Sequence, residues 1–239
     1  VSEIEFLVNE MVNYVPLLHL AHFFLGSEVT SSNFLGIVLN YLKLKLEVLD
    51  EDEAMTSHIF LRLLKLCLLS LNLYQTNNEP IVTIHVRDLI LKSLELSTKA
   101  KDPIVYFYLI RTLFKSISSG KFESINSEIF PLLPSLLKSL SKLIDAATTL
   151  QEREIYIELC LTVPVKINRM VSFLKFLMRP IALALNGSHD LITQSLRMLE
   201  LCIDNVTAEY LDPVMDPVID EIMKALWKHL RPYPYYYVH

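Results

Sequence analysis

Apolar residues recur every three or four positions along most of the chain. Between residues 52 and 74, the positions Ile59, Leu63, Cys67 and Leu71 follow this spacing, which places them on one face of an α-helix. A second apolar stripe begins near Val165 and falls within an arc of roughly 120° on a helical projection. It comprises Ile167, Met170, Val171, Leu174, Leu177 and Met178. No segment alternates apolar and polar residues in the way that predicts a strand, so the pattern predicts an all-α fold.

Prolines and their neighbours suggest where helices begin. A proline is tolerated at the first helical position, because its missing N–H would have no partner within the helix there. Aspartate precedes three of the prolines, and a carboxylate at that point can cap free N–H groups. The six candidate starts are Pro103, Pro131, Pro164, Pro180, Pro213 and Pro217. These starts divide the chain into about a dozen helices joined by short turns.

The predicted helices form successive pairs. Residues 131–145 pair with 151–161, residues 179–185 pair with 188–205, and the leading prolines recur at roughly the period of HEAT or armadillo repeats. A single pair cannot bury both of its faces, so neighbouring pairs must stack. We predict a HEAT/armadillo-like helical-repeat solenoid, with residues 1–239 as one segment. A compact helical bundle is the alternative.

Composition narrows the class of protein. The 239 residues are 52% apolar, with a net charge of −5 and only four glycines. Disorder is excluded by the apolar content, a turn-rich sheet protein by the scarcity of glycine, and a strongly basic nucleic-acid module by the acidic balance. The longest uncharged run, Met11–Ser27, is shorter than a membrane span of about 20 residues, so we predict no membrane segment. The helical pattern starts at Val1 itself, which suggests an internal fragment of a longer chain.

Few residues suggest chemistry. The three cysteines lie in apolar helical contexts without a CxxC, which favours an intracellular protein. His19 and His22 are three residues apart but lack an acidic partner for a metal, so we assign them a core or groove role. No phosphate-binding loop or acid–base constellation is present. We therefore predict no enzyme activity, no cofactor, no metal and no small-molecule substrate.

The chain ends in aromatic and basic residues. Trp227 lies among lysines, and tyrosines interleave with prolines from residue 232 to 237. Stacking aromatics beside cations can bind single-stranded nucleic acid. We prefer a proline-punctuated turn into a further helix, and we expect no direct nucleic-acid contact.

One aromatic residue lies off the apolar stripe. Phe176 falls near Arg169 on the helical projection, and Arg179 follows within a turn. The ring could pack on a neighbouring repeat, or it could be an exposed anchor with a basic rim for an acidic-aromatic peptide. Arg169, Phe176 and Arg179 are therefore the candidate partner-binding residues.

Longer stretches carry a family resemblance. The runs YVPLLHLAHFFLGSEVTSSNFLGIVLNYL, IFPLLPSLLKSL, IMKALWKHLRP and above all YIELCLTVPVKINRMVSFLKFLMRPIALALNGSHDLITQSLRMLELCIDN resemble the N-terminal helical-repeat region of the Tra/TRRAP family. These proteins are giant pseudokinase scaffold subunits of the SAGA complex and of a sister histone acetyltransferase complex. The similarity extends over nearly the whole chain.

The resemblance implies a function. It suggests a non-catalytic, nuclear scaffold segment that docks transcription activators and other subunits of the complex. It also implies that FAT and kinase-like domains follow further along a longer chain. The alternative function is a HEAT-repeat nuclear transport adaptor of the karyopherin type, which repeat physics alone would permit.

Overall fold

The computed structural model describes residues 2–49, 54–118, 121–164 and 171–230. Within these ranges the secondary structure is α-helix and 3-10 helix, without any strand. The predicted all-α class is confirmed. The chain divides into two compact units, Val1–Leu133 and Pro134–His239.

The first unit contains the longer helices. They are α1 (Ser2–Asn13), α2 (Leu18–Leu25), α3 (Glu28–Lys45), α4 (Ala54–Leu73), α5 (Gln75–Ser97), α6 (Ile104–Ile117) and α7 (Glu123–Ile129). Short 3-10 turns occupy Val15–Leu17, Leu46–Val48 and Phe130–Leu132.

Packing in the first unit follows chain order. From α2 to α6, each helix contacts the next one along the chain, and α2, α3, α4 and α5 also contact the next but one. α1 packs against α3 and α4. Contacts between a helix and its near neighbours in sequence are typical of stacked helix pairs.

Aromatic side chains fill much of the core of the first unit. Tyr106, Phe107, Phe114 and Phe122 are each at most 1% exposed. The buried hydroxyl of Tyr106 donates to the carbonyl oxygen of Leu46 at 3.0 Å. Large aromatic rings supply more apolar area than aliphatic residues, so they account for a large share of the hydrophobic stabilisation of this unit.

A buried polar network, formed by Asn78, Ser31 and Ser70, joins three helices of the first unit. Asn78 of α5 donates from Nδ2 to the Ser31 hydroxyl of α3 and to the Ser70 carbonyl of α4, both at 3.0 Å. The two serine hydroxyls donate in turn to backbone carbonyls of Leu25 and Cys67. These bonds hold the three helices together, because separating them would leave the buried Nδ2 group of Asn78 without an acceptor, which is costly. Oδ1 of Asn78 is buried without a hydrogen-bond partner among the described residues.

One described helix reaches the length and apolarity of a membrane span. It is Met55–Leu73, which is nearly all of α4. Its side chains Ile59, Leu63, Cys67 and Leu71 are buried, and α4 contacts helices α1, α2, α3, α5 and α6. The core helix of a folded unit has these same properties.

The second unit is built from shorter helices. They are α8 (Leu133–Ala146), α9 (Leu150–Leu161), α10 (Leu174–Ala184), α11 (His189–Asn205), α12 (Ala208–Met215) and α13 (Ile219–Leu230), with a 3-10 turn at Val171–Phe173. α10 contacts α9, α11, α12 and α13. The predicted pairing of the α10 and α11 segments is therefore present.

A capping box starts α9. The Thr149 side chain accepts from the backbone N–H of Glu152 at 3.2 Å, and the Glu152 carboxylate accepts from the backbone N–H of Thr149 at 3.0 Å. This reciprocal pair satisfies N–H groups that have no partner within the helix. The hydrogen bond from the backbone N–H of Thr149 is the largest cause that holds the pKa of the Glu152 carboxyl below its ordinary value.

Two predicted helix starts are wrong. Pro180 lies inside α10 and Pro213 lies inside α12, whereas Pro103 caps α6 and Pro217 lies in the turn before α13. An interior proline costs a helix about 3 kcal/mol. Both interrupted helices pack against neighbours, and this tertiary packing outweighs the local penalty.

The spacing of apolar residues in α11 predicts that Leu196, Leu199 and Cys202 are buried, and this prediction needs one correction. Leu199 and Cys202 are buried as expected, but Leu196 is 38% exposed. The buried face passes instead through Leu191 and Ser195, which lie four residues apart, and Leu196 is rotated about 100° from Ser195. The same spacing predicts that Leu133, Leu137, Leu159, Cys160, Ile167, Met170 and Leu174 lie in the core. Five of them, Leu133, Leu137, Leu159, Cys160 and Leu174, are buried, and Ile167 and Met170 lie outside the described residues.

All three cysteines are buried and unpaired by disulfides. Cys67 lies in α4, Cys160 in α9 and Cys202 in α11. Burial raises the pKa of the Cys67 thiol, and it raises those of Cys160 and Cys202 to about 12 and about 11. The thiolate is the reactive form, so these side chains are inert in the folded chain.

Candidate functional site

The predicted partner-binding residues belong to α10 and the segment before it. Phe176 and Arg179 occupy adjacent turns of α10, and they lie three residues apart on its outward side. Phe176 is half-buried and Arg179 is exposed, whereas Leu177 and Met178 between them are buried. Arg169 lies outside the described residues. We call the surface formed by Lys175, Phe176 and Arg179 the α10 face.

The Phe176 ring is partly covered by its neighbour. The Lys175 ammonium lies 5.0 Å from the ring centroid, within the range of a cation–π contact. The ring therefore keeps some accessible surface and is already associated with one cation. Half-burial of the ring does not decide between the two roles that the sequence left open, which are packing on a neighbouring repeat and anchoring a partner peptide.

Arg179 pairs with a carboxylate on another helix. Its Nη1 donates to Oδ2 of Asp145 on α8 at 2.9 Å, and its Nη2 donates to Oδ1 of the same carboxylate. The hydrogen bonds to the Arg179 guanidinium hold the pKa of Asp145 below its ordinary value, and the same bonds raise the pKa of Arg179. The charge of Arg179 is thus locally neutralised, although both side chains are about half exposed.

A groove of about 420 Å³ opens beside α10 in the second unit. Both carboxylates and cations line it: Glu154 and Glu221 are the acids, and Arg153, Lys224 and Lys228 are the bases. Apolar surface comes from Ile157, Ala182, Leu183 and Leu191. The mixture gives this groove no dominant sign of charge.

A second groove, of about 580 Å³, lies in the first unit between α2 with its preceding 3-10 turn and α4. Its apolar lining is Val15, Pro16, Leu18, Leu66 and Leu69. Leu69 is 47% exposed, so an apolar surface that the fold leaves uncovered faces solvent here. We call this site the α2–α4 groove.

The polar lining of the α2–α4 groove carries one sign of charge. His19 and His22 come from α2, and Arg62 and Lys65 come from α4; all four are exposed. Neither helix contains an Asp or Glu. Within the part of the chain that the structure describes, no carboxylate lies within ion-pair distance of Arg62 or Lys65.

Sequence reasoning left the α2–α4 groove undetected, apart from assigning His19 and His22 to a core or a groove. A signal was present on α4, because Arg62, Lys65 and Leu69 share one helical face at spacings of three and four. Their approach to α2 depends on tertiary packing across more than 40 residues of sequence, which periodicity does not report. Among the described residues, no group of three or more His, Cys, Asp or Glu side chains is placed to hold a metal ion.

Comparison with known proteins gives consistent matches. A family model described as the Tra1 HEAT repeat central region matches residues 1–233, and this match confirms the family resemblance drawn from the sequence. The SAGA complex/NuA4 acetyltransferase complex subunit TRA1 of Saccharomyces cerevisiae is 49% identical over 234 residues, covering 98% of this chain. The Schizosaccharomyces pombe subunit Tra1 is 37% identical over 230 residues, covering 96% of the chain.

A more distant relative agrees with these two. The transformation/transcription domain-associated protein of Homo sapiens is 36% identical over 230 residues, covering 96% of the chain. In each case the chain spans only 6% of the length of the relative.

Proposed function

Because the chain belongs to the Tra1 HEAT repeat family, we propose that it is a non-catalytic scaffold segment of a nuclear histone acetyltransferase coactivator complex. The family match confirms the predicted HEAT-like helical-repeat class. The fungal relatives are named as subunits of SAGA and NuA4 acetyltransferase complexes. That naming supports the proposal that this chain contacts other subunits of such a complex.

The observation that carries the proposal is the extent of the match. It covers residues 1–233 and so runs through both compact units. Repeat proteins present extended surfaces to partners, because each repeat contacts only its neighbours and leaves its outer faces open. We propose that residues 1–239 act as one repeat segment of a longer chain.

A domain exchange tests the scaffold proposal. The 234 matching residues of Saccharomyces cerevisiae TRA1 are replaced by this chain, and the acetyltransferase complex is purified through a tagged subunit. The expected result is co-purification of the hybrid with the same subunits as the parent. A hybrid that is stably expressed but absent from the complex contradicts the proposal. Substitution by an unrelated helical-repeat segment of equal length is the control.

We further propose that the α10 face, together with Arg169, docks acidic-hydrophobic activation segments of transcription activators. The half-buried Phe176 ring supplies an apolar anchor. Arg179 is paired with Asp145, but a solvent-exposed ion pair contributes only about 0–1 kcal/mol. An incoming carboxylate is therefore able to compete for the guanidinium.

A double variant tests the docking proposal. Phe176→Ala with Arg169→Glu removes the anchor and reverses one charge, so binding of a fluorescent activation-domain peptide should weaken by about tenfold. Phe23→Ala with Arg197→Glu changes the same residue types at exposed positions elsewhere and should bind like the parent. Circular dichroism establishes that both variants fold. Unchanged affinity of the first variant would end the proposal for this face and leave the scaffold proposal intact.

A further inference from the structure

We propose that the α2–α4 groove is a separate docking site for an acidic amphipathic helix of a partner protein. The site lies in the first unit and shares no residue with the α10 face. Its test therefore stands or fails independently of the activation-segment proposal for that face.

The shape of the groove suits side chains presented by a helix. Its volume of about 580 Å³ lies within the range of roughly 300–1,000 Å³ that is common for ligand pockets. Leu66 and Leu69 line one wall and Leu18 lines the other. An amphipathic helix inserts apolar residues at spacings of three and four into such a groove.

The positive charge of the groove favours a partner that carries negative charge. Arg62 and Lys65 lie one turn apart on α4, and neither has a carboxylate partner among the described residues. His19 and His22 lie one turn apart on α2. A helix with apolar anchors and flanking Asp or Glu side chains would bring its carboxylates to these cations. Such complementarity accelerates association and fixes orientation.

The same groove is poorly suited to nucleic acid. Binding to a phosphate backbone gains affinity from many neutralised phosphates, whereas this lining has only two permanently charged side chains. Single-strand binders also stack bases on aromatic rings. The described lining has no Phe, Tyr or Trp, and its apolar members are Val15, Pro16, Leu18, Leu66 and Leu69.

A designed peptide serves as the probe. The acidic probe carries Leu at positions i, i+3, i+4 and i+7 and Glu at the remaining positions. A second peptide replaces Glu by Gln, and a third shuffles the Leu positions at constant composition. Fluorescence anisotropy with the 239-residue chain should show saturable binding of the acidic probe alone. Its affinity should fall as salt is raised, because exposed charges are screened.

Charge variants locate the site on the protein. Arg62→Glu with Lys65→Glu should weaken binding of the acidic probe by about tenfold or more. Arg87→Glu changes an exposed arginine of α5 outside the groove and should alter affinity less than about twofold. Equal affinity of the double variant and the Arg87 control would overturn the proposal.

A variant of an apolar residue tests whether the leucine side chains of the groove contribute to binding. Leu69→Asp places a carboxylate on the exposed leucine of the groove and should abolish measurable binding. Ile84→Asp makes the same kind of change at a side chain of α5 that is 73% exposed, and it should bind like the parent. Both variants replace exposed residues, so the fold should persist, as circular dichroism will establish.

Competition with nucleic acid gives the last readout. A single-stranded RNA of matched total charge should displace the acidic probe only at concentrations well above those at which the unlabelled peptide does so. Displacement at lower concentrations than the peptide would overturn the proposal in favour of a nucleic-acid site. Equal binding of the Gln peptide would also overturn it, because the cations would then have no role in recognition.

Discussion

The grooves of the two compact units differ in the charge that their linings present, although lysines elsewhere in the first unit are paired with carboxylates. In the first unit, Arg62 and Lys65 line an apolar groove without a carboxylate partner among the described residues. In the second unit, Arg179 is bound by Asp145, and the groove beside α10 mixes acids with bases. Both units use helices packed on near neighbours. The comparison shows that stacked helical repeats can present either a groove lined by positive charge or a surface on which charges are paired.

The interiors of the two units differ as well. Four aromatic side chains of the first unit, Tyr106, Phe107, Phe114 and Phe122, are at most 1% exposed, and a buried polar network joins its helices. The described part of the second unit buries the aromatic side chains of Tyr156 and Phe173 and has a capping box at the start of α9. We therefore expect core substitutions to have the largest effects in the first unit. Substitutions at helix ends and ion pairs should reveal more about the second.

The largest expected effect comes from Phe114→Ala in α6. The side chain is fully buried, so its removal leaves a cavity and should lower the free energy of unfolding by about 3–5 kcal/mol. Denaturant titration measures the loss. Phe6→Ala, at a ring that is 67% exposed, is the matched control and should change stability little.

Hydrogen exchange then tests whether the units are energetically separate. Because repeats contact only their neighbours, Phe114→Ala should reduce amide protection in α4 to α6 and leave α9 to α11 unchanged. An equal loss of protection in both units would show that they unfold together, and the contrast between their interiors would then have no energetic meaning.

A smaller effect is expected from the capping box of the second unit. Thr149→Ala removes the side-chain acceptor for the Glu152 N–H and should destabilise the chain by about 1 kcal/mol. Thr207 is the N-cap of α12 but makes no side-chain cap bond. Thr207→Ala should therefore be nearly neutral, and similar losses at both threonines would contradict the role of the capping box.

Acid should weaken the same box. The pKa of Glu152 is lowered in the folded chain by hydrogen bonds from the Thr149 and Thr148 backbone N–H groups and the Thr148 hydroxyl. A lowered folded-state pKa means that the stabilisation is present above the ordinary carboxyl pKa and is lost as pH falls through the folded value. An NMR titration of the Glu152 carboxyl carbon should have its midpoint below that of an unfolded peptide.

The smallest effect addresses the surface comparison directly. Asp145→Asn removes the carboxylate from Arg179 and makes the α10 face more like the α2–α4 groove. Affinity for an acidic activation-domain peptide should rise by about two- to fivefold at low salt, the size expected for an exposed ion pair. Asp204→Asn on α11 gives the same change in net charge and should have no such effect. A fall in affinity would show that the pair positions Arg179 rather than masking it.

Much of the fold was predictable because helical periodicity is a local property. The apolar spacing of Ile59, Leu63 and Cys67 correctly assigned the buried face of α4. Leu196 was assigned wrongly because several apolar residues of α11 compete for the core, and only contacts with neighbouring helices decide which of them face inward. The predicted helix start at Pro180 was wrong for a related reason. The packing of α10 against its neighbours outweighs the tendency of proline to interrupt a helix.

The sites were less predictable because they depend on distant residues. Arg179 and Asp145 lie 34 residues apart in sequence and on different helices, so no local pattern shows that the arginine is paired. The basic stripe of α4 is visible in the sequence. Its meeting with His19 and His22 is a consequence of how α2 packs on α4.

The buried cysteines allow local opening of each unit to be measured by chemical modification of their thiols. Their thiols are masked in the folded state, so an alkylating reagent modifies each one only when the surrounding helices separate. Cys67 reports on the first unit, while Cys160 and Cys202 report on the second. Mass spectrometry of timed alkylation would therefore give an opening rate for each unit from the unmodified sequence. The same inertness allows a single cysteine introduced at the rim of either groove to carry a spectroscopic label without removal of the natural ones.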